Sequence, residues 1–476
     1  MKGLAFGICV ASALAALGAK QDVRYVENDS VKVGVDLNAG GAVMYVEDKL
    51  RRTGNMINHH DHGRQIQQSY YSGPVPYIGP KGERPHPSWA NLGWNPIQTG
   101  DVGGNPSPVV SFRSSPTSMV IRTVPMLWPH SGVRAECEFV TEITLVKSGF
   151  RYRAAILNNR SDTTDYGRKS QEVPALYTNA RWYKTVAYLG DRPWTGAPVA
   201  TIVAKGDGKG WPWRRFTTPE SWCALVGDDG AGIGVYNAEA LHFLAGFAGG
   251  DDKKGRALGP SDNPTGYIAP IRYNVLDHNA TLSYEALFAL GSVDDIRRAF
   301  AKEARRKAVT SSWEFRRERL SWTHVNAVST GYPLHGAYEI VLKNGAELVS
   351  PQIFARADCV GSVRIEASAQ ASAKKGGAPG ALECALVLDR FSPSDLIDYP
   401  AWNEKAQTVA DYRKKMSGKY PELKPVSIGF EIPLDGKPHV VEIPVSESGA
   451  GAYKRYHIAF RNVDGQTFSL FSFSVR

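Results

Sequence analysis

Apolar and polar residues alternate with a period of two along much of the chain. The pattern is clear in residues 136–146, where Cys137, Phe139 and Ile143 share one side and glutamates occupy the other. Residues 150–156 repeat it, with arginines opposite the apolar positions. Successive side chains of a strand point to opposite faces, so these segments predict half-buried antiparallel strands.

Similar short runs predict further strands on both sides of a helical segment. They lie at residues 31–37, 42–46, 119–124, 183–188, 199–204, 222–226, 232–236 and 281–290, and later at 337–342, 362–367, 382–388, 439–443 and 456–460. Strands and helices do not alternate, which favours packed antiparallel sheets over a parallel sheet with crossover helices. The pattern therefore predicts an all-β fold with few helices.

One helix is predicted at residues 293–307. Ser292 is a suitable N-cap, acidic residues follow in the first turn, and basic residues occupy the last turn. This charge order complements the helix dipole. Ile296, Phe300 and Ala304 add an apolar stripe at helical spacing, so we expect the helix to pack on a sheet and to close the first domain.

Composition changes divide the chain into four parts. A positive n-region at Lys2, an apolar segment and small residues near position 19 are typical of a secretory signal peptide at 1–19. The rest is too long for one ordinary core. We expect a β-sandwich domain at 20–310, a polar linker at 311–325 and a smaller accessory β-sandwich at 326–476. The segments at 369–380 and 396–415 are expected to be a loop and an insertion.

Charge and cysteine content narrow the functional classes. The formal net charge of +9 favours an anionic partner, such as a sulfated or uronate-bearing polysaccharide, although many basic residues also suit a solvated surface. The sequence shows no dense basic run with a nucleic-acid motif. The amino-terminal apolar segment is too short to span a membrane, and no other stretch approaches that length. Cysteines are too sparse for a disulfide scaffold; Cys359 and Cys384 could pair or stay as buried thiols.

The polar stretch at residues 55–71 is the most unusual of the chain. It contains His59, His60 and His62 beside Asp61 and Arg64, followed by glutamines and tyrosines. If it is a strand, neither of its faces is an ordinary core face, because buried polar groups need partners. Many donors and acceptors flanked by aromatic residues suit a sugar site, and we expect this strand to line one.

Three kinds of chemistry are compatible with this stretch. Neighbouring histidines on a strand point to opposite faces, which disfavours a shared metal ion, and no cofactor motif is found, so no cofactor is expected. A glycosidase needs two carboxyl groups, for which Asp61 and Glu172 are the first candidates and Asp101 a weaker one. A lyase acting on a uronate would instead use Tyr70, Tyr71 or His60 as base and Arg64 as the neutralising cation.

Aromatic and amide side chains in the first domain suit sugar binding in each case. Trp211 and Trp213, followed by two arginines, could form an exposed stacking platform. The residues predicted to bind substrate are His60, His62, Arg64, Gln68, Tyr70, Tyr71, Trp94, Asn95, Gln98, Tyr177 and Trp182.

Several sequence blocks resemble galactose-mutarotase-like proteins of exported bacterial carbohydrate-degrading systems. They are residues 33–46 with their Gly-Gly turn, 55–58, 94–98, 171–177 and 291–297. The resemblance covers residues 30–300 and implies a β-supersandwich with a sugar cleft. Epimerases of this group use a histidine acid and a glutamate base, but the motifs around that pair are missing here, so it is not assigned to residues of this chain.

The sequence therefore predicts an exported, periplasmic or extracellular carbohydrate-active enzyme. Our first hypothesis is a glycoside hydrolase that cleaves a polysaccharide or oligosaccharide with Asp61 and Glu172 as its carboxylate pair. A polysaccharide lyase and a non-catalytic glycan-binding protein are the alternatives.

Overall fold

The computed structural model describes residues 21–164, 166–189, 193–202, 212–305, 312–353, 355–357, 360–372, 380–390, 424–445 and 452–476. The predicted signal peptide, the insertion at 396–415, most of the loop at 369–380, Trp211 and Cys359 lie outside these residues. Cys384 is a free, buried thiol.

Strands dominate the described residues. Up to residue 305 the elements are β1 (Val23–Glu27), β2 (Val31–Asp36), β3 (Ala42–Asp48), β4 (Ile66–Ser69), a 3₁₀ turn (Pro87–Leu92), β5 (Pro96–Ile97), β6 (Val109–Ser114), β7 (Ser118–Thr123), β8 (Met126–Leu127), β9 (Cys137–Val146), β10 (Gly149–Asn158), β11 (Lys169–Asn179), β12 (Lys184–Ala187), β13 (Ala200–Ile202), β14 (Trp213–Thr217), β15 (Trp222–Val226), β16 (Ala231–Tyr236), β17 (His242–Ala248), a 3₁₀ turn (Asp251–Lys253), β18 (Thr265–Asn274), β19 (Thr281–Ser292) and α1 (Val293–Ala304). The later elements are β20 (Ser312–Glu314), β21 (Thr323–Ser329), β22 (Tyr338–Val349), β23 (Ala355–Arg356), β24 (Ser362–Gln370), β25 (Ala381–Arg390), β26 (Val426–Pro433), β27 (His439–Pro444), β28 (Ala452–Phe460) and β29 (Thr467–Val475).

The described strands form three antiparallel sheets. The first has the order β1-β2-β3-β4-β11-β18-β17-β14, and the second the order β13-β12-β15-β16-β19-β10-β9-β7-β6. Their facing sides share one hydrophobic core, to which β9 contributes Phe139 and Ile143 and β11 contributes Val173 and Leu176. The predicted all-β class with few helices is confirmed.

The helix α1 forms as its sequence predicts. The Ser292 hydroxyl accepts a hydrogen bond from Asp295 N, and the Asp295 carboxylate accepts from Ser292 in return, which completes a capping box. Ile296 and Phe300 are fully buried against strands of the second sheet. The helix therefore covers the side of the second sheet that faces away from the first.

The third sheet has the order β26-β25-β28-β22-β29-β24-β27 and its own hydrophobic core. Its end strands β26 and β27 contact each other, so the sheet curls around that core. Residues 311–325 are not the simple linker that the sequence predicts. They include β20, which pairs with β29, and the fully buried Phe315 and Trp322.

A buried ion pair joins this segment to the first domain. The Arg319 guanidinium donates two hydrogen bonds of 2.8 Å to the Asp277 carboxylate, and both side chains are 3% exposed. Arg168 adds a second connection by donating to the backbone oxygens of Ser321 and Ser350. The third sheet is thus attached to the first two by specific polar contacts.

Candidate functional site

The first sheet has an outer face, which points away from the second sheet and carries a separate aromatic and aliphatic cluster. Its members are the buried Ala175, Tyr267, Ala269 and Ile271 and the partly buried Tyr177, Trp213, Leu244 and Tyr273. Such a cluster on a sheet face outside the main core is the kind of surface that ligand sites use.

A β-bulge in β11 places Glu172 on this outer face. Val173 and Leu176 both enter the core between the sheets although they are three residues apart, which strict alternation forbids. The register of β11 shifts between Glu172 and Leu176 against β18, and between Glu172 and Ala175 against β4. Pro174, which has no backbone N–H, lies within this interruption. As a result, Glu172, Ala175 and Tyr177 share the outer face.

Glu172 is held by hydroxyl groups in a desolvated position. The Tyr267 hydroxyl donates a 2.6 Å hydrogen bond to Glu172 Oε1, and Ser69 lies directly opposite Glu172 on β4. Burial raises the pKa of Glu172, while hydrogen bonds from Tyr267, Tyr71 and Ser69 partly oppose the increase. Burial also raises the pKa of Tyr71, followed by the effect of the Glu172 charge. Glu172 is therefore biased towards its protonated form, as a general acid requires.

Aromatic rings stand beside this carboxyl group. The rings of Tyr267 and Trp213 have centroids 4.5 Å apart, and those of Tyr267 and Tyr177 are 4.8 Å apart. Gly246 lies between Tyr267 and Trp213 in the sheet, where an added Cβ would lie 3.1 Å from the Trp213 ring and 2.3 Å from Pro212 O. The missing side chain at Gly246 lets Trp213 reach Tyr267.

The histidine-rich stretch is a loop and not the predicted strand. Strand β4 begins only at Ile66, and Gln65 before it has a left-handed φ of 67°. The loop brings Asp61 and Arg64 together, with Arg64 Nε 3.4 Å from Asp61 Oδ2, whereas strand alternation would have separated them. Arg64 also donates to the Asn263 carboxamide oxygen over 2.7 Å.

The loop lies near the aromatic cluster, but its histidines have different environments. The charges of Arg64 and Asp61 both act on the Tyr177 hydroxyl, as does that of Glu172. His60 is exposed with its Nδ1 2.8 Å from Ser261 O, and burial lowers the pKa of His62. Within the described ranges, no group of three or more His, Cys, Asp or Glu side chains is arranged to hold a metal ion.

Five of the predicted substrate-binding residues are buried away from the outer face. Gln68 donates to Thr141 Oγ1 of the second sheet over 2.7 Å, and Tyr70 donates to Gln68 Oε1 over 2.8 Å. Gln98 completes this network, with its Oε1 accepting from the hydroxyl of Tyr152. Trp94 and Trp182, each 2% exposed, belong to the core. A saccharide has no access to these side chains, so assigning them to substrate binding is wrong.

Two further candidates, Asn95 and Asp101, are buried and hydrogen-bonded within the protein. Asn95 is 1% exposed, and its side-chain amide donates to Tyr70 O over 2.8 Å and to the Ser69 hydroxyl over 3.4 Å. Asp101 is 2% exposed and accepts hydrogen bonds from the backbone of Gly103, Asn105 and Gly132. Asp101 therefore organises a loop, and its saturated carboxylate leaves no lone pair directed at a substrate.

The outer face keeps Glu172, Tyr71 and Tyr177 of the predicted site and adds residues that the sequence did not single out. Tyr267 and Ser69 were missed, and Trp213 entered only as a general stacking candidate. A usable signal for Tyr267 was the apolar run of residues 265–271 directly after Pro264, which is typical of a buried strand.

Among the described residues, no helix is both long and apolar enough to cross a membrane. No family model matches the sequence, and no curated protein matches it either.

Solved structures of galactose-mutarotase-like proteins resemble somewhat more than half of the chain. A candidate aldose 1-epimerase from Escherichia coli K12 is 11% identical, with 57% of this chain and 99% of the other covered at a TM-score of 0.38. A galactose mutarotase-like protein from Lactobacillus casei is also 11% identical, covering 56% and 99% at a TM-score of 0.37. A 4-alpha-glucanotransferase from Thermococcus litoralis is 10% identical, covering 57% and 40% at 0.32. The first two are of the galactose-mutarotase-like kind that the sequence blocks resemble, and likeness at this level assigns no activity.

Proposed function

We propose that the protein is a carbohydrate-active enzyme that cleaves glycosidic bonds with Glu172 as its general acid. One observation carries this proposal. The Glu172 carboxyl group is removed from water, has a raised pKa, and lies beside the aromatic cluster on the outer face of the first sheet. Protonation of a leaving glycosidic oxygen needs an acid that keeps its proton near neutral pH. Aromatic rings bind the apolar faces of sugars, and Tyr177 and Trp213 supply them.

Asp61 is the proposed second carboxyl group. Its Oδ2 faces Arg64 at 3.4 Å and its Oδ1 accepts a 2.8 Å hydrogen bond from Gly63 N. A carboxylate held in this way by a guanidinium and a backbone N–H is fixed in position, as a nucleophile or a base for water must be. Asp61 and Glu172 both act on the Tyr177 hydroxyl, which supports a shared site.

The lyase alternative is less well supported. Of its three candidate bases, Tyr71 has a pKa that burial raises and the neighbouring Glu172 charge raises further, and His60 is exposed with its Nδ1 2.8 Å from Ser261 O. Tyr70 is buried between the sheets. A lyase would leave an unsaturated uronate that absorbs ultraviolet light, so product absorbance separates the two reactions.

The test is a digestion screen of the wild-type protein over a panel of neutral and anionic polysaccharides, followed by kinetics of Glu172→Gln. We expect new reducing ends without ultraviolet absorbance, and a loss of turnover of at least about a hundredfold in the variant. Glu318→Gln is the matched control, because burial also raises the pKa of Glu318, to about 7, but its carboxylate accepts from Thr281 N of the second sheet. Full turnover in Glu172→Gln would exclude the proposed role.

We also propose that the protein is exported and acts on a polysaccharide or oligosaccharide outside the cytoplasm. The amino-terminal sequence pattern supports this, and N-terminal sequencing of the secreted protein, expected to begin near residue 20, would test it.

A further inference from the structure

A cavity opens where Trp313 and residues 351–353, which belong to the part of the chain that carries the third sheet, meet the outer face of the first sheet. Its interior holds about 100 Å³, and it is open to solvent on one side. One wall consists of His242, Ile271 and Tyr273 from β17 and β18. The cavity is also lined by Trp313 and Gln352, which follow the first domain in the chain.

This cavity lies in the same row of side chains as Glu172. Glu172 pairs with Ile271 across β11 and β18, and Ile271 pairs with His242 across β18 and β17. Neighbouring strands are about 4.8 Å apart, so the backbone of His242 lies roughly 10 Å from that of Glu172. Ile271 therefore borders both places, and a ligand longer than one sugar ring could occupy them together.

The polar side chains of the cavity include both donors and acceptors for hydrogen bonds with the hydroxyl groups of a sugar. Gln352 Nε2 lies 2.8 Å from His242 Nε2, and Thr217 Oγ1 lies 3.1 Å from the other ring nitrogen. Because a carboxamide nitrogen only donates, the facing ring nitrogen accepts, and the imidazole is held neutral in one orientation. Arg272 at the cavity wall forms an ion pair with Glu239, which offers both a cation and an anion to a ligand.

Aromatic surfaces complete the cavity. The rings of Tyr273 and His242 meet edge to face at 5.8 Å, and Arg215 covers the Tyr273 ring at 5.5 Å. Trp313 also lines the cavity, and its ring meets that of Trp322 edge to face at 5.5 Å. Paired charges, amide groups and rings match an uncharged sugar, whose hydroxyls both donate and accept, better than a carboxylate or sulfate.

We propose that this cavity is a second sugar-binding subsite, which takes an uncharged sugar unit of the chain whose glycosidic bond lies at Glu172. This inference rests on the proposed function. It assigns a role to the C-terminal region: its Trp313 and Gln352 close the cleft and make the enzyme favour oligosaccharides over short substrates.

The test uses the full chain with Gln352→Ala and with Gln352→Trp, which fills the cavity. For the polysaccharide found in the digestion screen, purified oligosaccharides of increasing length serve as substrates. We expect KM for the longer members to rise roughly threefold to tenfold in Gln352→Ala and further in Gln352→Trp, with kcat retained and the shortest cleaved member unaffected. Gln370→Ala, an exposed glutamine on β24 outside the cavity, is the control.

A direct binding measurement separates this inference from the proposed function. Glu172→Gln, alone and combined with Gln352→Trp, is applied to an array of neutral oligosaccharides. Length-dependent binding that the second substitution removes supports the subsite even if no turnover is found. Equal KM values or equal array binding with and without the Gln352 substitutions, at unchanged melting temperature, would overturn it, and so would an array that retains no protein.

Discussion

Glu172 shows how a single residue's chemistry depends on its partners. Its burial favours the protonated form, whereas the 2.6 Å hydrogen bond from Tyr267 favours the ionised form. The balance decides at which pH the group can still donate a proton.

Tyr267→Phe should therefore move the pH dependence of turnover. Without the hydroxyl, the pKa of Glu172 rises further, so a larger fraction stays protonated and the alkaline limb of the pH–kcat profile shifts to higher pH. Tyr183→Phe is the matched control, because that hydroxyl donates over 2.9 Å to the exposed Asp228. A shift to lower pH, or an equal shift in both variants, would contradict the role of Glu172.

At the residue scale, the sequence predicts which residue types could bind a sugar but not which of them face outwards. The candidates Glu172 and Tyr177 lie on the outer face of the first sheet. Gln68 and Tyr70, from the polar stretch at residues 55–71, instead bond to each other and to Thr141 between the sheets. Sequence does not reveal which polar groups find buried partners, because those partners come from distant strands.

Among the elements, the half-exposed β9 and β10 and the fully buried β15 and β16 were predicted, whereas the strands that form the candidate site were not. The half-exposed β9 and β10 show clear alternation. The strands that form the site, β11, β17 and β18, are mostly buried on both sides, and the bulge in β11 breaks its period as well. The polar loop before β4, residues 55–65, is predicted as a strand because no glycine or proline interrupts it before Gly63.

The contact between β17 and β14 depends on Gly246. In Gly246→Ala the new methyl group would meet Pro212 O and the Trp213 ring, so Trp213 must move away from Tyr267. We expect a loss of about 1–3 kcal/mol in the free energy of unfolding and weaker saccharide binding, with a changed tryptophan emission spectrum.

Gly429→Ala provides the comparison for this prediction. Gly429 lies within β26, and nothing would lie within 4 Å of its added Cβ. Its substitution should leave unfolding and emission close to those of the wild type. If both alanine variants behave alike, the packing of Trp213 against Gly246 does not shape the site.

At the scale of the whole molecule, the pair of Asp277 and Arg319 couples the first domain to the third sheet. Both groups are removed from water, so each depends on the other. The first two sheets and the third sheet have separate hydrophobic cores, and the polar sequence of residues 311–325 gave no sign of this pair or of the buried Trp322.

Arg319→Met should destabilise the protein by about 3–5 kcal/mol in denaturant unfolding, because it removes two charge-assisted hydrogen bonds from the buried Asp277 carboxylate. Adding Asp277→Asn should recover much of that loss. Arg316→Met is the control: its ion pair with Glu314 is largely exposed, so its removal should change stability by no more than about 1 kcal/mol. An Arg319→Met variant as stable as this control would exclude the coupling role.

The bulge in β11 also has a consequence for how the protein can diversify. The core positions Val173 and Leu176 and the outer positions Glu172, Ala175 and Tyr177 are interleaved in one short segment, yet each side chain serves only one face. Substitutions at the outer positions can change ligand preference without opening voids in the core. A library randomised at the partly buried Tyr177 should thus keep most of its members folded while their sugar preferences diverge.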